Sequence, residues 1–144
     1  MEYKIVNTQH LSTIELIDIM RERIKVFGVE QNCPYQEVDE EDENALHVML
    51  KDQNKLVAYT RIIERENDIS FGRVLVTEKY RKQQYGKQIV RQTIDEIKKR
   101  YKCGIIKISG QAHLQNFYES FGFKCVSESY LEDGIPHVSL ELTF

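Results

Sequence analysis

The apolar positions of this chain change period several times, and each change marks an element. Tyr3 to Val6 alternates and predicts a short first strand. Ile14, Leu16, Ile17, Ile19, Met20, Ile24 and Phe27 then recur at helical spacing and predict one apolar helix face. Ser12 or Thr13 serves as its cap, Glu15 and Asp18 sit near its positive end, and Arg21, Arg23 and Lys25 gather toward the other end. Gly28 loosens this helix, and Cys33-Pro34 closes the segment. Ala45 to Lys51 and Leu56 to Ile63 predict two antiparallel strands joined at Asp52-Gln53-Asn54. Ile69, Phe71, Val74, Leu75 and Val76 form a buried strand that stops at Thr77.

The next stretch is polar and cationic: Lys79, Arg81, Lys82, Gln83, Gln84, Tyr85, Gly86 and Lys87. Ile89, Val90, Thr93, Ile94 and Ile97 then return at helical spacing, so a helix begins close to Gly86. A strand that turns into a helix through a basic segment suits a phosphate, because the first N–H groups of a helix lack partners and its dipole adds positive charge there. Tyr101 to Gly104 reads as a helix stop, and Ile105, Ile106 and Ile108 as a strand parallel to the one before the helix. The sheet is expected to splay between these two strands, at a place where ligands enter α/β sheets. Leu114, Phe117, Tyr118 and Phe121 predict a short amphipathic helix ended by Gly122. Val126 to Ser129 and Val138 to Leu142 predict a terminal hairpin whose loop, Tyr130 to His137, carries the Asp133-Gly134 turn signal.

Composition narrows the classes. With 144 residues, 41% hydrophobic and 30% charged, the chain is expected to form a single domain over 1–144. No apolar run approaches membrane-spanning length, which predicts a cytoplasmic protein without a membrane partner. Cys33, Cys103 and Cys125 are odd in number and lack metal-ligand spacing, so reduced thiols and no metal are expected. A net charge of −3 argues against nucleic acid as a partner. The charge is nonetheless uneven. Glu37, Asp39, Glu40, Glu41, Asp42 and Glu43 form an acidic run, read either as a solvated loop or as an acidic mouth that draws an amine while phosphates sit on residues 79–87. His47 lies in a strand, where a structural role competes with a chemical one. Arg73 interrupts an apolar strand and must meet water or a partner, such as a substrate carboxylate or the acidic loop.

From Val76 onward the chain resembles the acetyl-coenzyme A-binding core of the GNAT superfamily of N-acyltransferases. The resemblance rests on Arg81-Lys82-Gln83-Gln84-Tyr85-Gly86, with Gln84 where the first glycine usually stands, and on Tyr118, Gly122 and Phe123 further on. Arg23 to Glu37, Gln111 to Phe123 and Tyr130 to His137 are similar to the ElaA-like branch. The resemblance implies an α/β (α+β) fold with a mixed, mostly antiparallel sheet splayed between its fourth and fifth strands and flanked by helices.

It further implies transfer of an acetyl group from acetyl-CoA, the co-substrate, to a primary amine by direct attack in a ternary complex. Arg81, Lys82, Gln83, Gln84, Tyr85, Gly86 and Lys87 would hold the diphosphate, and Lys79 would add charge. Val74, Leu75 and Val76 would pair with the pantetheine arm, and a bulge there would free an N–H for the oxyanion. Gln111, Asn116 and Tyr118 complete the cofactor set, with Tyr118 also the acid for the departing thiolate and Glu30 the candidate base. The acceptor, a small molecule or peptide amine, would meet Glu30, Asp39, His47, Arg73 and Asp133, with Glu128 and His137 also near the pocket. A bound but unreacted acyl-CoA, as in a sensor module, is a rival reading. So is an acyl-homoserine-lactone-type synthase, whose early V-F-x-x-E-Q segment is similar. The terminal hairpin also offers an edge for pairing in a homodimer.

Overall fold

The computed structural model describes residues 1–102 and 104–144; the expectation of a reduced Cys103 lies outside them. Eight strands form one sheet: β1 (Glu2–Asn7), β2 (Leu46–Asp52), β3 (Lys55–Glu64), β4 (Ile69–Val76), β5 (Ile105–Gln111), β6 (Lys124–Cys125), β7 (Tyr130–Glu132) and β8 (Ile135–Thr143). Their order across the sheet is β1-β2-β3-β4-β5-β8-β6, with β7 beside β8. Every pairing is antiparallel except β4 with β5. Helix α2 (Tyr85–Arg100) connects that parallel pair, α1 (Thr13–Arg23) follows β1, and α3 (Gln115–Glu119) follows β5.

The splay between the fourth and fifth strands is present. β4 and β5 meet at the single pair Ile69↔Ile106, near the start of both strands, and diverge toward their carboxyl ends. A bulge contributes on the other side of β4. Tyr59 faces Leu75 and Arg61 faces Gly72, so Arg73 and Val74 together oppose Thr60. Arg73 takes φ +52° to make this possible. Such a bulge bends its strand and raises the local twist, which swings the end of β4 away from β5.

The two faces of the sheet are packed differently. On one, Ile89, Val90, Ile94 and Ile97 of α2 join Phe71, Ile106, Ile108, Tyr118, Phe121, Phe123 and Leu140 in the main core. Thr93, also fully buried, donates to the Ile89 carbonyl at 2.7 Å and shares a 2.6 Å bond with Thr60. On the other face, Ile19 of α1 packs with Met49, Tyr59 and Leu75.

Helix α1 corrects the sequence reading. Ser12 and Glu15 form the expected capping box, but the buried line is Glu15, Ile19 and Arg23, while Ile14, Leu16, Ile17 and Ile24 face outward. Charges take inward positions because each finds an opposite partner there: Glu15 meets Lys4 at 2.8 Å and also Lys51, and Arg23 meets Glu37 and Asp42 at 2.6 Å each. Beyond Arg23 the helix widens into a π-helical segment, Ile24–Glu30, that contains Gly28.

Two other expectations change. The helix stops at Arg100 as the Tyr101 to Gly104 segment predicts, but Gly104 serves the sheet rather than the cap: it exchanges two 3.0 Å backbone bonds with Phe144 and extends the β5–β8 ladder. The terminal hairpin is tighter than its alternation suggests. Its strands run up to Asp133 and Gly134, whose φ values of +51° and +78° suit a two-residue turn. Residues 126–129 are irregular instead, held where the Ser139 N–H donates to Ser127 Oγ at 2.9 Å. Gly122, at φ +104°, is the left-handed stop the sequence predicts.

Candidate functional site

At the mouth of the splay, the turn between β4 and α2 presents backbone donors. Lys82 and Gln84 adopt φ +63° and +70°, the conformation a glycine enters without strain. Gln84 is the residue before α2, and its carbonyl accepts from Gln88 N–H at 3.1 Å. The N–H groups of Tyr85, Gly86 and Lys87 therefore open the helix without partners inside it. Gly86 has an ordinary φ, and a Cβ placed on it would meet only Val76 Cγ2, at an ordinary 3.8 Å. Nothing inside the chain requires glycine there, and its lack of a side chain leaves the main chain open on the outer side. Lys79, Lys82 and Lys87 surround the turn. Arg81 is pinned by its Nε donating to the Val76 carbonyl at 3.0 Å and by an Nη2–Glu30 Oε1 pair at 2.9 Å. Glu30 thus stands beside the basic turn as a counter-ion. It does not line the cleft, so the geometry departs from the role of base.

The cleft continues inward between β4 and β5. Beyond Ile69 no described strand pairs with the β5-facing edge of β4, so main-chain groups of its second half face the gap. Val74 and Val76 point into the α2 face, and Leu75 into the α1 face. Tyr118 closes the gap from α3. It is 6% exposed, edge-on to Phe117 and Phe123 at centroid distances of 5.2 and 6.3 Å. Its hydroxyl has no hydrogen-bond partner among the described residues, and burial pushes it up to about 12. A phenol held above its ordinary value of about 10 stays protonated at neutral pH and is a weaker proton source. Gly110 on β5 makes room for it: a Cβ there would fall 2.9 Å from Tyr118 Cε2 and 3.1 Å from Leu140 Cδ1. The sequence reading misses Gly110, although a lone glycine inside a strand signals a close approach.

The far side of the cleft is polar. Gln31, Cys33 and Tyr35 frame it after the π-helical segment, and Glu132, Asp133 and His137 frame it from the hairpin. Cys33 Sγ lies 3.2 Å from the Asp133 carbonyl and joins the two sides. Gln111, expected with the cofactor, reaches across to Gln31 Oε1 at 3.3 Å on this side. Asn116 is exposed on the first turn of α3, and Glu128 is exposed outside the cleft.

The acidic run is divided: Glu40, Glu41 and Glu43 are exposed, and two of its carboxylates turn inward. Glu37 and Asp42 are 7% and 6% exposed. Arg23 Nε donates to Glu37 at 2.6 Å and its Nη1 to Asp42 at 2.6 Å, while Arg61 Nη1 donates to Asp42 at 2.9 Å. Burial raises the Asp42 carboxyl, but the hydrogen bonds from Arg23 and Arg61 override it and hold the group well below the usual range. Arg73 donates to Glu37 at 2.9 Å and lies 3.7 Å from Asp39, with its guanidinium over the Tyr35 ring. Asp39 also caps a 3₁₀ turn and pairs with Arg61 at 3.1 Å, so its carboxylate is engaged away from the cleft.

His47 requires the plainest correction. It is fully buried, with Nδ1 2.6 Å from Tyr59 Oη and Nε2 2.8 Å from Thr8 Oγ1. Burial first, and then the Arg23 charge, lower its pKa to about 4, so the ring is a neutral core group out of reach of substrate. Of the expected acceptor residues, Arg73 and Asp133 line the cleft; Glu30, Asp39 and His47 do not.

Comparison with known proteins agrees with this geometry. A family model described as an acetyltransferase (GNAT) domain matches residues 15–144. The chain is 38% identical to Protein ElaA of Escherichia coli over 145 residues, covering 97% of this chain and 95% of that one. The crystal structure of E. coli ElaA superposes with a TM-score of 0.91 over 97% of each chain at 36% identity. An acyl-CoA N-acyltransferase from Pseudomonas aeruginosa superposes at 0.92, with 33% identity over 98% of this chain and 99% of that one. With a sheet parted at β4 and β5, a donor-rich helix start at its mouth and matches along nearly its whole length, this chain belongs to the GNAT acetyltransferase family and is an acyltransferase.

Proposed function

We propose that this chain transfers an acetyl group from acetyl-CoA to a primary amine by direct attack within a ternary complex. The observation that carries the reading is that three features follow the opening between β4 and β5: the unpartnered N–H groups that open α2 after the end of β4, the unpaired edge of β4, and Tyr118, which lines the cleft between the strands.

Each feature suits one part of the thioester substrate. A diphosphate suits the left-handed turn at Lys82 and Gln84, with Arg81, Lys82 and Lys87 supplying charge. The bare glycine at 86 leaves the main chain approachable from outside. The amide-bearing pantetheine arm suits the strand edge at Val74, Leu75 and Val76, which lacks a partner strand. The bulge at Arg73 and Val74 leaves a residue outside the ladder, where an N–H is available to a developing oxyanion. The amine attacks the thioester carbonyl, the C–N bond forms, and the C–S electrons leave with sulfur. Tyr118, kept protonated by burial, offers its hydroxyl to that sulfur.

Titration calorimetry with acetyl-CoA and a thiol-release assay over an amine library test this reading. Binding and release are both expected. Tyr118→Phe should lower turnover by about ten- to a hundredfold with affinity for acetyl-CoA nearly unchanged. Binding without thiol release for any amine would make the chain a non-catalytic acyl-CoA module; absence of binding would overturn the reading.

A further inference from the structure

The geometry points to His137, oriented by the Ile135 carbonyl and faced by Glu132, as the general base that takes the proton from the attacking amine. This rests on the acyl-transfer reading and assigns a residue on the acceptor side of the same site.

In the β5–β8–β7 register, Gln111 pairs with His137 and His137 with Tyr130. Ser109, Gln111, Tyr130, Glu132, His137 and Ser139 therefore share one face of the sheet by strand alternation. Ile108, Val138 and Leu140 point to the opposite face and join Tyr118 in the main core. The cleft passes between the two faces and is lined by both sets. A thioester entering from the α2 side would meet Tyr118 on that side and present its carbonyl to His137 on the other.

His137 is built for a single orientation. Its Nδ1 lies 2.7 Å from the Ile135 carbonyl, which accepts only, so Nδ1 carries the proton. In the neutral ring, Nε2 then holds a lone pair. Glu132 Oε2 stands 3.4 Å from Nε2, placed to stabilise the positive charge once Nε2 has taken a proton. Glu132 is itself held by Ser109 Oγ, which donates to Oε1 at 3.0 Å; Ser109 also bonds Tyr130 Oη at 2.6 Å, and Tyr130 bonds Ser139 at 3.1 Å. The His137 side chain is 10% exposed and the Glu132 side chain 48%, so the pair sits at the solvent boundary where an amine arrives.

The groups facing this ring are few. Glu132 approaches from β7, Tyr130 stacks beside it at 6.4 Å between centroids, and β5 places uncharged Gln111 and Ser109 nearest on this face, with Lys107 further along the strand opposite Glu141 of β8. Asp133 lines the cleft from the same hairpin, and Cys33, Tyr35, Tyr118 and Arg73 line it from other elements, the last engaged by Glu37. As the C–N bond forms, the amine nitrogen becomes acidic. Nε2 takes one proton from it, the C–S electron pair leaves with sulfur, and the products are an amide, coenzyme A thiolate and a protonated His137 that returns its proton to water.

Two readouts test the assignment on the full chain. In ¹⁵N spectra of the imidazoles at neutral pH, His137 should show the Nδ1–H tautomer that the Ile135 carbonyl requires. With acetyl-CoA and spermidine, benzylamine and glycinamide as probes, the pH profile of kcat/KM gives the second readout. Glu132→Gln should lower kcat with little change in KM for the amine. His137→Gln should alter the shape of the pH profile and reduce turnover by about ten- to a hundredfold at neutral pH, while calorimetric affinity for acetyl-CoA stays within a factor of two. An Nε2–H tautomer, an unchanged kcat in Glu132→Gln, or an unaltered pH profile in His137→Gln overturns the assignment. Loss of acetyl-CoA binding in the unsubstituted chain would instead be a failure of the functional reading.

Discussion

Residues 37–42 and residues 79–87 are both charged, polar stretches between regular elements, yet they fold in opposite senses. The acidic one turns inward. Its Glu37 and Asp42 are buried against Arg23, Arg61 and Arg73 with each of their oxygens engaged, while Glu40 and Glu41 stay exposed. The basic one stays outside, with Lys82, Gln83, Gln84 and Lys87 exposed and the backbone at Lys82 and Gln84 in the left-handed region. Charge that finds its opposite within the chain becomes scaffold. Charge left at a helix start without an internal partner, around main-chain donors that also lack one, is a site waiting for an anion. The two buried carboxylates of the acidic run hold the loop that borders the β4 bulge.

The difference can be broken from the acidic side first. Asp42→Ala should destabilise the fold by about 3–5 kcal/mol, because it strands Arg23 and Arg61 as buried, poorly paired charges. Chemical denaturation measures this, and a loss under about 1 kcal/mol would mean the network is better solvated than its geometry implies. His47, beneath the network, gives a related effect of pH. Its folded pKa of about 4 lies below the unfolded value of about 6.5, so the unfolded chain binds the extra proton between them. The contribution of a neutral His47 is complete above about pH 6.5 and is lost as pH falls toward 4, by about 3 kcal/mol in all. His47→Gln should flatten that part of a stability–pH curve, measured by denaturation between about pH 7 and 4.5.

On the basic side the readout changes from stability to binding. Gly86→Glu should leave the denaturation midpoint nearly unchanged, since the chain has room for a Cβ there, and weaken acetyl-CoA binding by about tenfold or more by placing an anion against the phosphates. Equal calorimetric affinity would dissociate the turn from the ligand. The smallest effect belongs to the one carboxylate that crosses over. Glu30→Gln frees Arg81 from an exposed ion pair and should tighten acetyl-CoA binding by about two- to fivefold, diminishing with salt.

Much of this is legible before folding. The strand, basic turn and helix from Ile69 to Arg100, the hairpin turns, the Gly122 stop and the family resemblance of the Arg81–Gly86 and Tyr118–Phe123 segments are written in local pattern, because each depends on neighbours in sequence. The β4–β5 splay is legible as well, since the crossover connection and the family pattern both imply it. Four features are not. The inward turn of Glu15 and Arg23, the burial of Glu37 and Asp42, the closure of His47 between Thr8 and Tyr59, and the facing of Glu132 and His137 all join groups from separate elements. Periodicity reports which positions repeat on one side of an element. It does not report whether a charge on that side meets an opposite charge 14 or 36 residues away. Local sequence determined the elements, their ends and the donor-rich turn, because backbone preference and hydrophobic period act over a few residues. Only the tertiary structure decided which ionisable side chains are frame and which face the cleft, because the cost of burying a charge depends on what the rest of the chain places beside it.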